Sequence, residues 1–68
     1  PASTYAVFTT RVGPTVEVVT EAWRHIWEWS QQPDVKRTFV ADFELYDGVR
    51  CADMNQAQID IYIGIADE

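Results

Sequence analysis

The chain has 68 residues, with eleven acidic and five basic side chains that give a formal net charge of −6. A chain of this length forms one domain and buries only about 60% of the surface that its unfolded form exposes. The acidic balance and the scattered basic residues argue against binding to a nucleic-acid backbone, and they favour cationic partners.

The first predicted element is a strand over residues 5–12. This segment is rich in β-branched and aromatic residues, which favour an extended backbone. Phe8 shares one face with the other even-numbered residues of the segment. Gly13 and Pro14 follow directly and predict the end of the strand.

An amphipathic helix is predicted over residues 17–31. Its apolar residues recur at spacings of three and four positions, and they include Val18, Val19, Ala22, Trp23 and Ile26. We assign Trp23 to the core, whereas Trp27 and Trp29 flank the apolar stripe and would close the core edge or wall a groove. No capping box precedes the helix, and Pro33 predicts its end.

Two further strands are predicted at residues 42–47 and 59–65, because both segments alternate with a period of two. If they pair as antiparallel neighbours, the phenylalanine, leucine and isoleucine side chains share one face of the sheet. The opposite face then gathers two carboxylates and two tyrosines, which are Glu44, Tyr46, Asp60 and Tyr62. The segment at residues 38–40 could extend the earlier strand or belong to a loop.

The order strand, helix, strand, strand predicts an α+β fold. We expect one β-α-β-β module over residues 1–68, with one helix packed on a small antiparallel sheet. Cys51 is the only cysteine and His25 the only histidine, so one chain can form neither an internal disulfide nor a Cys/His zinc site. No metal or cofactor is predicted. The extra buried surface that a small domain needs would come from a homodimer or from a missing second module.

The sequence lacks an apolar run of the roughly 18 residues that a membrane span requires. Its N-terminal residues also lack the basic and apolar regions of a signal peptide. We therefore expect a soluble, cytoplasmic protein without a membrane partner or a direct nucleic-acid partner.

The polar face of the predicted sheet is a candidate cation site. A carboxylate supplies negative charge, and the faces of aromatic rings attract a cation by about 0.5–2 kcal/mol each. Glu44 with Tyr46, Asp60 and Tyr62 has this composition. The alternative is a solvated polar face, which antiparallel sheets commonly have.

Several short motifs, taken in order, resemble the GyrI-like, or bacterial transcription activator effector-binding, domain family. The matching segments are residues 1–8 before the Gly-Pro break, Ile26-Trp27-Glu28-Trp29, Phe43-Glu44-Leu45-Tyr46, and the closing residues 59–65. Together they cover nearly the whole chain. Gly64 departs from the family pattern, which usually has a proline at this place.

This resemblance implies a ligand-binding role of the effector-sensing or multidrug-binding kind. Members usually contain two strand-helix-strand-strand modules related by a pseudo-twofold axis, with a cleft between them, and this chain is similar to the C-terminal module. Many relatives bind large, lipophilic, often cationic aromatic compounds through a buried glutamate, whose motif Glu44 matches. The predicted ligand-binding residues are Glu44, Tyr46, Tyr62, Trp27, Trp29, Asp60 and Phe8.

Two other functions stay open at this point. Some relatives act on a DNA-handling enzyme, which would make this chain a protein-interaction module of the gyrase-inhibitor kind. Other relatives are hydrolases, in which case Glu44 or Asp60 would serve as a general base. The sequence shows no recognisable nucleophile–base pair, so we prefer ligand binding to catalysis.

Overall fold

A computed structural model describes residues 4–39 and 41–66. The N-terminal lead-in at residues 1–3, Val40 of the undecided segment, and the last two residues of the predicted 1–68 module lie outside the described residues. The chain forms β1 (Thr4–Thr9), α1 (Thr15–Ser30), β2 (Phe43–Leu45) and β3 (Asp60–Ile65). The three strands form an antiparallel sheet in the order β1-β3-β2. The predicted α+β class, with one helix on a small antiparallel sheet, is confirmed.

The bounds of the elements differ modestly from the predicted ones. The helix begins two residues early, directly after Pro14, and no side chain caps its first turn, as the missing capping box indicates. The first strand ends at Thr9, because Thr10 turns its hydroxyl inward to accept the N–H of Ile59 at 3.0 Å. In the described part of the chain, α1 has neither the length nor the apolarity for a membrane crossing.

The core lies between α1 and one face of the sheet. Its fully buried apolar side chains are Val18, Ile26, Ala57, Ile59, Ile61 and Ile63. Trp23 and Trp29 are partly buried against this cluster, so the assignment of Trp23 to the core is confirmed. The smallest dimension of the molecule is 13 Å, which corresponds to one helix on one sheet and leaves the other sheet face without a covering layer.

The prediction that Phe43 and Leu45 share a sheet face with the isoleucines of the last strand is wrong. In the register of β2 and β3, Glu44 lies opposite Ile61, and Phe43 lies opposite Tyr62. Glu44 therefore points to the helix side with the isoleucines, while Phe43 and Leu45 lie on the uncovered side. A shift of one residue moves every side chain of a strand to the other face, and alternation within one strand does not show which set faces inward.

The segment just before β2 runs alongside the end of β3 and contains a bulge. Arg37 bridges to Ile65, and Phe43 pairs with Tyr62, so the edge contains three more residues than β3 between these two pairs. Thr38 and Phe39, the described residues of the undecided segment, lie outside the strands, so they belong to a loop. Phe39 has a φ of 58°, a conformation that bulky residues rarely adopt. Gly64 permits the close approach, since a Cβ there would lie only 2.8 Å from Thr38 Oγ1.

Asp42 connects this bulge to β3 through hydrogen bonds. Its carboxylate accepts hydrogen bonds from Arg37 Nη2 at 2.6 Å and from the Gly64 N–H at 2.9 Å. Burial raises the pKa of Asp42, but the Gly64 and Arg37 donors lower it further, so the net pKa lies below the ordinary value. Asp42 therefore stabilises the fold in its charged form.

We expect Asp42→Asn to destabilise the chain at pH 7 by more than it does at pH 3. A carboxyl whose pKa is lower in the folded state contributes stability above its unfolded pKa of about 3.9, and this contribution is lost as the pH falls through the folded pKa. Urea unfolding of both proteins at the two pH values measures the difference. Asp34→Asn, at an exposed carboxylate, is the matched control. An equal cost of Asp42→Asn at both pH values would contradict this role.

Candidate functional site

Glu44 is the centre of the candidate site. It is the middle residue of β2 and is half-buried beneath the helix side of the sheet. Trp23 donates its indole Nε1–H to one carboxylate oxygen at 2.7 Å, and Tyr46 donates its hydroxyl to the other at 2.6 Å. Both oxygens are thus held in fixed positions by aromatic side chains, one from α1 and one from the chain just after β2.

The donors to Glu44 carry no formal charge. In the described residues, the arginine ion pairs instead join Arg11 to Glu17 and Glu21, Arg37 to Asp42, and Arg50 to Asp47 and Asp60. The contacts of Glu44 therefore orient a carboxylate without neutralising it. A half-buried negative charge that is fixed by neutral donors is suited to receive a cation from outside.

Tyr46 serves this site as a hydrogen-bond donor. Its hydrogen bond to Glu44, together with partial burial, raises the pKa of Tyr46 to about 12. The phenol therefore stays protonated throughout the physiological pH range. Its ring is half exposed, so it can contact a bound molecule while its hydroxyl holds the carboxylate.

A groove at the end of α1 is bordered by two more aromatic rings. It has a volume of about 690 Å³ and lies between the C-terminal part of α1, the following loop and the bulge. Trp27 and Phe39 border it and are exposed by 63% and 73%. Trp27 follows Trp23 by one helical turn and so lies on the same side of α1. The residues that line this groove include neither Glu44 nor Tyr46, and Arg37 already lies over the Phe39 ring at 4.4 Å. Trp27 also borders a second pocket together with Trp23, and this surface connects it to the indole that donates to Glu44.

Asp60 and Tyr62, which were predicted to join Glu44, lie on the opposite face of the sheet. Asp60 accepts hydrogen bonds from Arg50 Nη2 at 2.8 Å and from Thr9 Oγ1 at 2.9 Å. The Arg50 bond, followed by the Thr9 bond, lowers the pKa of Asp60. Its charge is therefore already paired, and Tyr62 stacks on a neighbouring ring of that face.

Phe8 and Trp29, also predicted as ligand-binding residues, pack on each other near β1. Their ring centroids are 4.9 Å apart in an edge-to-face arrangement, and both rings lie against the core. Phe8 pairs with Ile61 from one side of β3, while Glu44 pairs with Ile61 from the other. Adjacent strands are about 4.8 Å apart, so Phe8 lies roughly 10 Å from Glu44 across the sheet.

Trp23 belongs to the site, although it is not among the ligand-binding residues predicted from the sequence. Its apolar spacing predicted only a core position, and the structure adds a hydrogen bond to Glu44. A buried tryptophan usually directs its indole N–H to an acceptor, and this requirement was the available signal.

Comparison with known proteins yields one family and one curated relative. Residues 1–65 match the model of Cass2, the integron-associated effector binding protein. The chain is 49% identical over 65 residues to the "Putative transcriptional regulator protein YobU" of Bacillus subtilis (strain 168). The match covers 96% of this chain and 39% of that relative, so the chain spans about two fifths of its length. No solved structure matches the chain at a significant level.

Proposed function

Because this chain belongs to the family of integron-associated effector binding proteins, we propose that it binds a small hydrophobic cation beside Glu44. The observation that carries this proposal is the half-buried carboxylate of Glu44, held by the neutral donors Trp23 and Tyr46 at 2.7 and 2.6 Å. The positive centre of the ligand would approach Glu44, and its apolar body would lie along Trp23 and Trp27, which border one pocket.

Charge and aromatic surface would contribute together to this binding. Two opposite unit charges 4 Å apart attract by about 4 kcal/mol at the effective dielectric typical of a protein surface. Each aromatic ring that faces the cation adds about 0.5–2 kcal/mol. The rings of Trp23 and Tyr46 are already positioned by their hydrogen bonds to Glu44, so a ligand would lose little free energy in ordering them.

The module would act as the effector-sensing part of a regulator. The curated relative is named as a transcriptional regulator and is longer than this chain. In line with the strand-helix-strand-strand order, we propose a GyrI-like half-module that functions as a homodimer or beside a second module. Both oxygens of Glu44 already accept hydrogen bonds, and this arrangement favours a binding role over a role as a general base.

Two ions of similar shape and opposite charge test this function. We expect tetraphenylphosphonium to quench the tryptophan fluorescence of the chain in a saturable manner. Tetraphenylborate has nearly the same shape with the opposite charge, and it should bind at least about tenfold more weakly, because a repulsion replaces an attraction worth 1.4 kcal/mol or more. Equal affinity for the two ions would contradict a cation site and would indicate a purely apolar groove.

A further inference from the structure

The groove at the end of α1 contains a buried hydrogen-bond donor without a partner. Within residues 4–39 and 41–66, Arg37 Nε makes no hydrogen bond, and the atom is shielded from solvent. The side chain of Arg37 is only 10% exposed and lines this groove. Its Nη2 donates to Asp42 at 2.6 Å, so one part of the guanidinium is satisfied and another is not. A buried N–H that lacks an acceptor is unfavourable and is rare in native proteins.

The groove has the size and the surface of a small-molecule site. Its volume of about 690 Å³ falls within the range of about 300–1,000 Å³ that is usual for ligand pockets. Trp27 and Phe39 supply exposed ring surface, and Val35 adds an aliphatic side chain. Apolar walls around a small number of directional polar groups are the usual composition of such a pocket. The unpartnered N–H of Arg37 is a directional group of this kind.

Phe39 covers the guanidinium that carries this donor. Its ring centroid lies 4.4 Å from Arg37 Cζ, a distance at which a cation is attracted to a ring face. The backbone of Phe39 has a φ of 58°, which is unfavourable for a bulky residue, and its side chain is largely exposed. A ligand can therefore displace the ring of Phe39 to reach the donor, and the displaced ring can pack on the ligand.

The formal charges around the groove cancel. Lys36 and Arg37 contribute two positive charges to its lining, Glu28 contributes a negative charge, and Asp42 supplies a second one through its ion pair with Arg37. The groove also lies at the C-terminal end of α1, where the helix dipole disfavours an anion. The acceptor that suits the Arg37 N–H is therefore an uncharged oxygen rather than a carboxylate.

We propose that this groove binds an uncharged aromatic compound through a carbonyl oxygen. The carbonyl accepts the N–H of Arg37 Nε, and the aromatic rings of the ligand pack on Trp27 and Phe39. Trp27 also borders the pocket of Trp23, so this site adjoins the cation site but does not use the carboxylate of Glu44. Each of the two sites can exist without the other.

Two ligands of nearly the same shape test the carbonyl site. Benzophenone joins two aromatic rings through a carbonyl, whereas diphenylmethane joins them through a methylene. We expect benzophenone to bind at least about fivefold more tightly, because it alone supplies an acceptor for the buried N–H. NMR titrations that follow the indole signal of Trp27 measure both affinities. The side-chain Nε–H signal of Arg37 should shift downfield with benzophenone but not with diphenylmethane.

Arg37→Lys identifies the donor. Lysine keeps the positive charge beside Asp42 but lacks the Nε–H, so the preference for benzophenone over diphenylmethane should disappear. Arg50→Lys, at an arginine that pairs with Asp60 on the other sheet face, is the matched control and should keep the preference. The test is separate from that of the cation site, since benzophenone lacks the charge that Glu44 attracts and tetraphenylphosphonium lacks the oxygen that Arg37 needs.

Three results would overturn the proposal: equal affinity of the parent chain for the two ligands, an Arg37 Nε–H signal that benzophenone leaves in place, or a preference that persists in Arg37→Lys. Circular dichroism establishes that the variants fold. If Arg37→Lys does not fold, the Nε–H signal of Arg37 in the parent chain decides the question, because it reports the hydrogen bond directly.

Discussion

Replacing Glu44 with glutamine should weaken the binding of tetraphenylphosphonium by about ten- to a hundredfold. The substitution removes the negative charge that attracts the cation, and a loss of about 1.4–2.8 kcal/mol corresponds to this range. Glutamine keeps the shape of the side chain. Its carbonyl oxygen can accept the indole N–H of Trp23, and its amide can donate to the hydroxyl of Tyr46. The measurement is a fluorescence titration of both proteins.

Glu17→Gln provides the matched control for this experiment. It changes the net charge by the same amount, but Glu17 pairs with Arg11 at the start of the helix and takes no part in the Glu44 site. We expect the control to bind the cation within about twofold of the parent chain, because exposed charges at a distance are screened by salt. Similar losses in Glu44→Gln and Glu17→Gln would show that only net charge matters and would contradict a defined site.

The Glu44→Gln variant also tests the geometry of the site in the absence of ligand. Tyr46 has a pKa of about 12 because it donates to the carboxylate of Glu44. In Glu44→Gln this pKa should fall towards the ordinary value of about 10, since ionisation of the phenol no longer places two negative charges together. Ultraviolet absorbance during an alkaline titration reports the change. An unchanged titration curve would mean that the two side chains are not in contact in solution.

The second large effect concerns the core. Ile61→Ala should reduce the free energy of unfolding by about 2–5 kcal/mol, the range found for removing a buried isoleucine side chain. Ile61 is fully buried near the start of the central strand, where it pairs with Phe8 on one side and Glu44 on the other. A domain of this size has a total stability of only about 3–10 kcal/mol, so the variant should be largely unfolded at 37 °C. Urea unfolding followed by circular dichroism measures the loss.

Two companion variants separate burial from a general sensitivity to mutation. Ile61→Val removes one methylene and should cost about 0.5–1.5 kcal/mol. Val49→Ala removes more side chain, but from a residue that is 86% exposed, and it should change stability by less than about 0.5 kcal/mol. If all three substitutions cost the same, Ile61 is not the packed centre of the core.

The sequence was sufficient to predict the helix, the three strands and their antiparallel arrangement. The spacing of Val18, Ala22 and Ile26 and the alternation at residues 59–65 are strong local patterns, and the structure places these residues against one another. The strand ends moved by one to three residues. At the end of β1, for example, the Thr10 hydroxyl accepts the N–H of Ile59, a contact that the local pattern does not report.

The orientation of β2 could not be predicted from its own residues. Phe43, Leu45, Glu44 and Tyr46 alternate, but both sets contain an aromatic ring, and alternation alone leaves two choices of inward face. The observed choice satisfies the indole of Trp23 through Glu44 and stacks Phe43 on Tyr62. Both contacts join residues about twenty positions apart, which local patterns do not report.

The candidate site was therefore predicted in part. The structure joins Glu44 and Tyr46 in one hydrogen-bonded pair and places Trp27 in one pocket with Trp23, the other donor to Glu44. It separates Asp60 and Tyr62 from this pair, since the register of two strands determines which faces they share.

The most direct test of the central claim follows the three tryptophan indole signals by NMR during a titration with tetraphenylphosphonium. Trp23 donates to Glu44, Trp27 borders the same pocket as Trp23, and Trp29 packs on Phe8 near β1. Single Trp→Phe variants assign the signals. We predict that the Trp23 and Trp27 signals shift together and saturate, while the Trp29 signal stays in place. A titration in which Trp29 shifts most, or in which no indole signal moves, would contradict an effector site at Glu44.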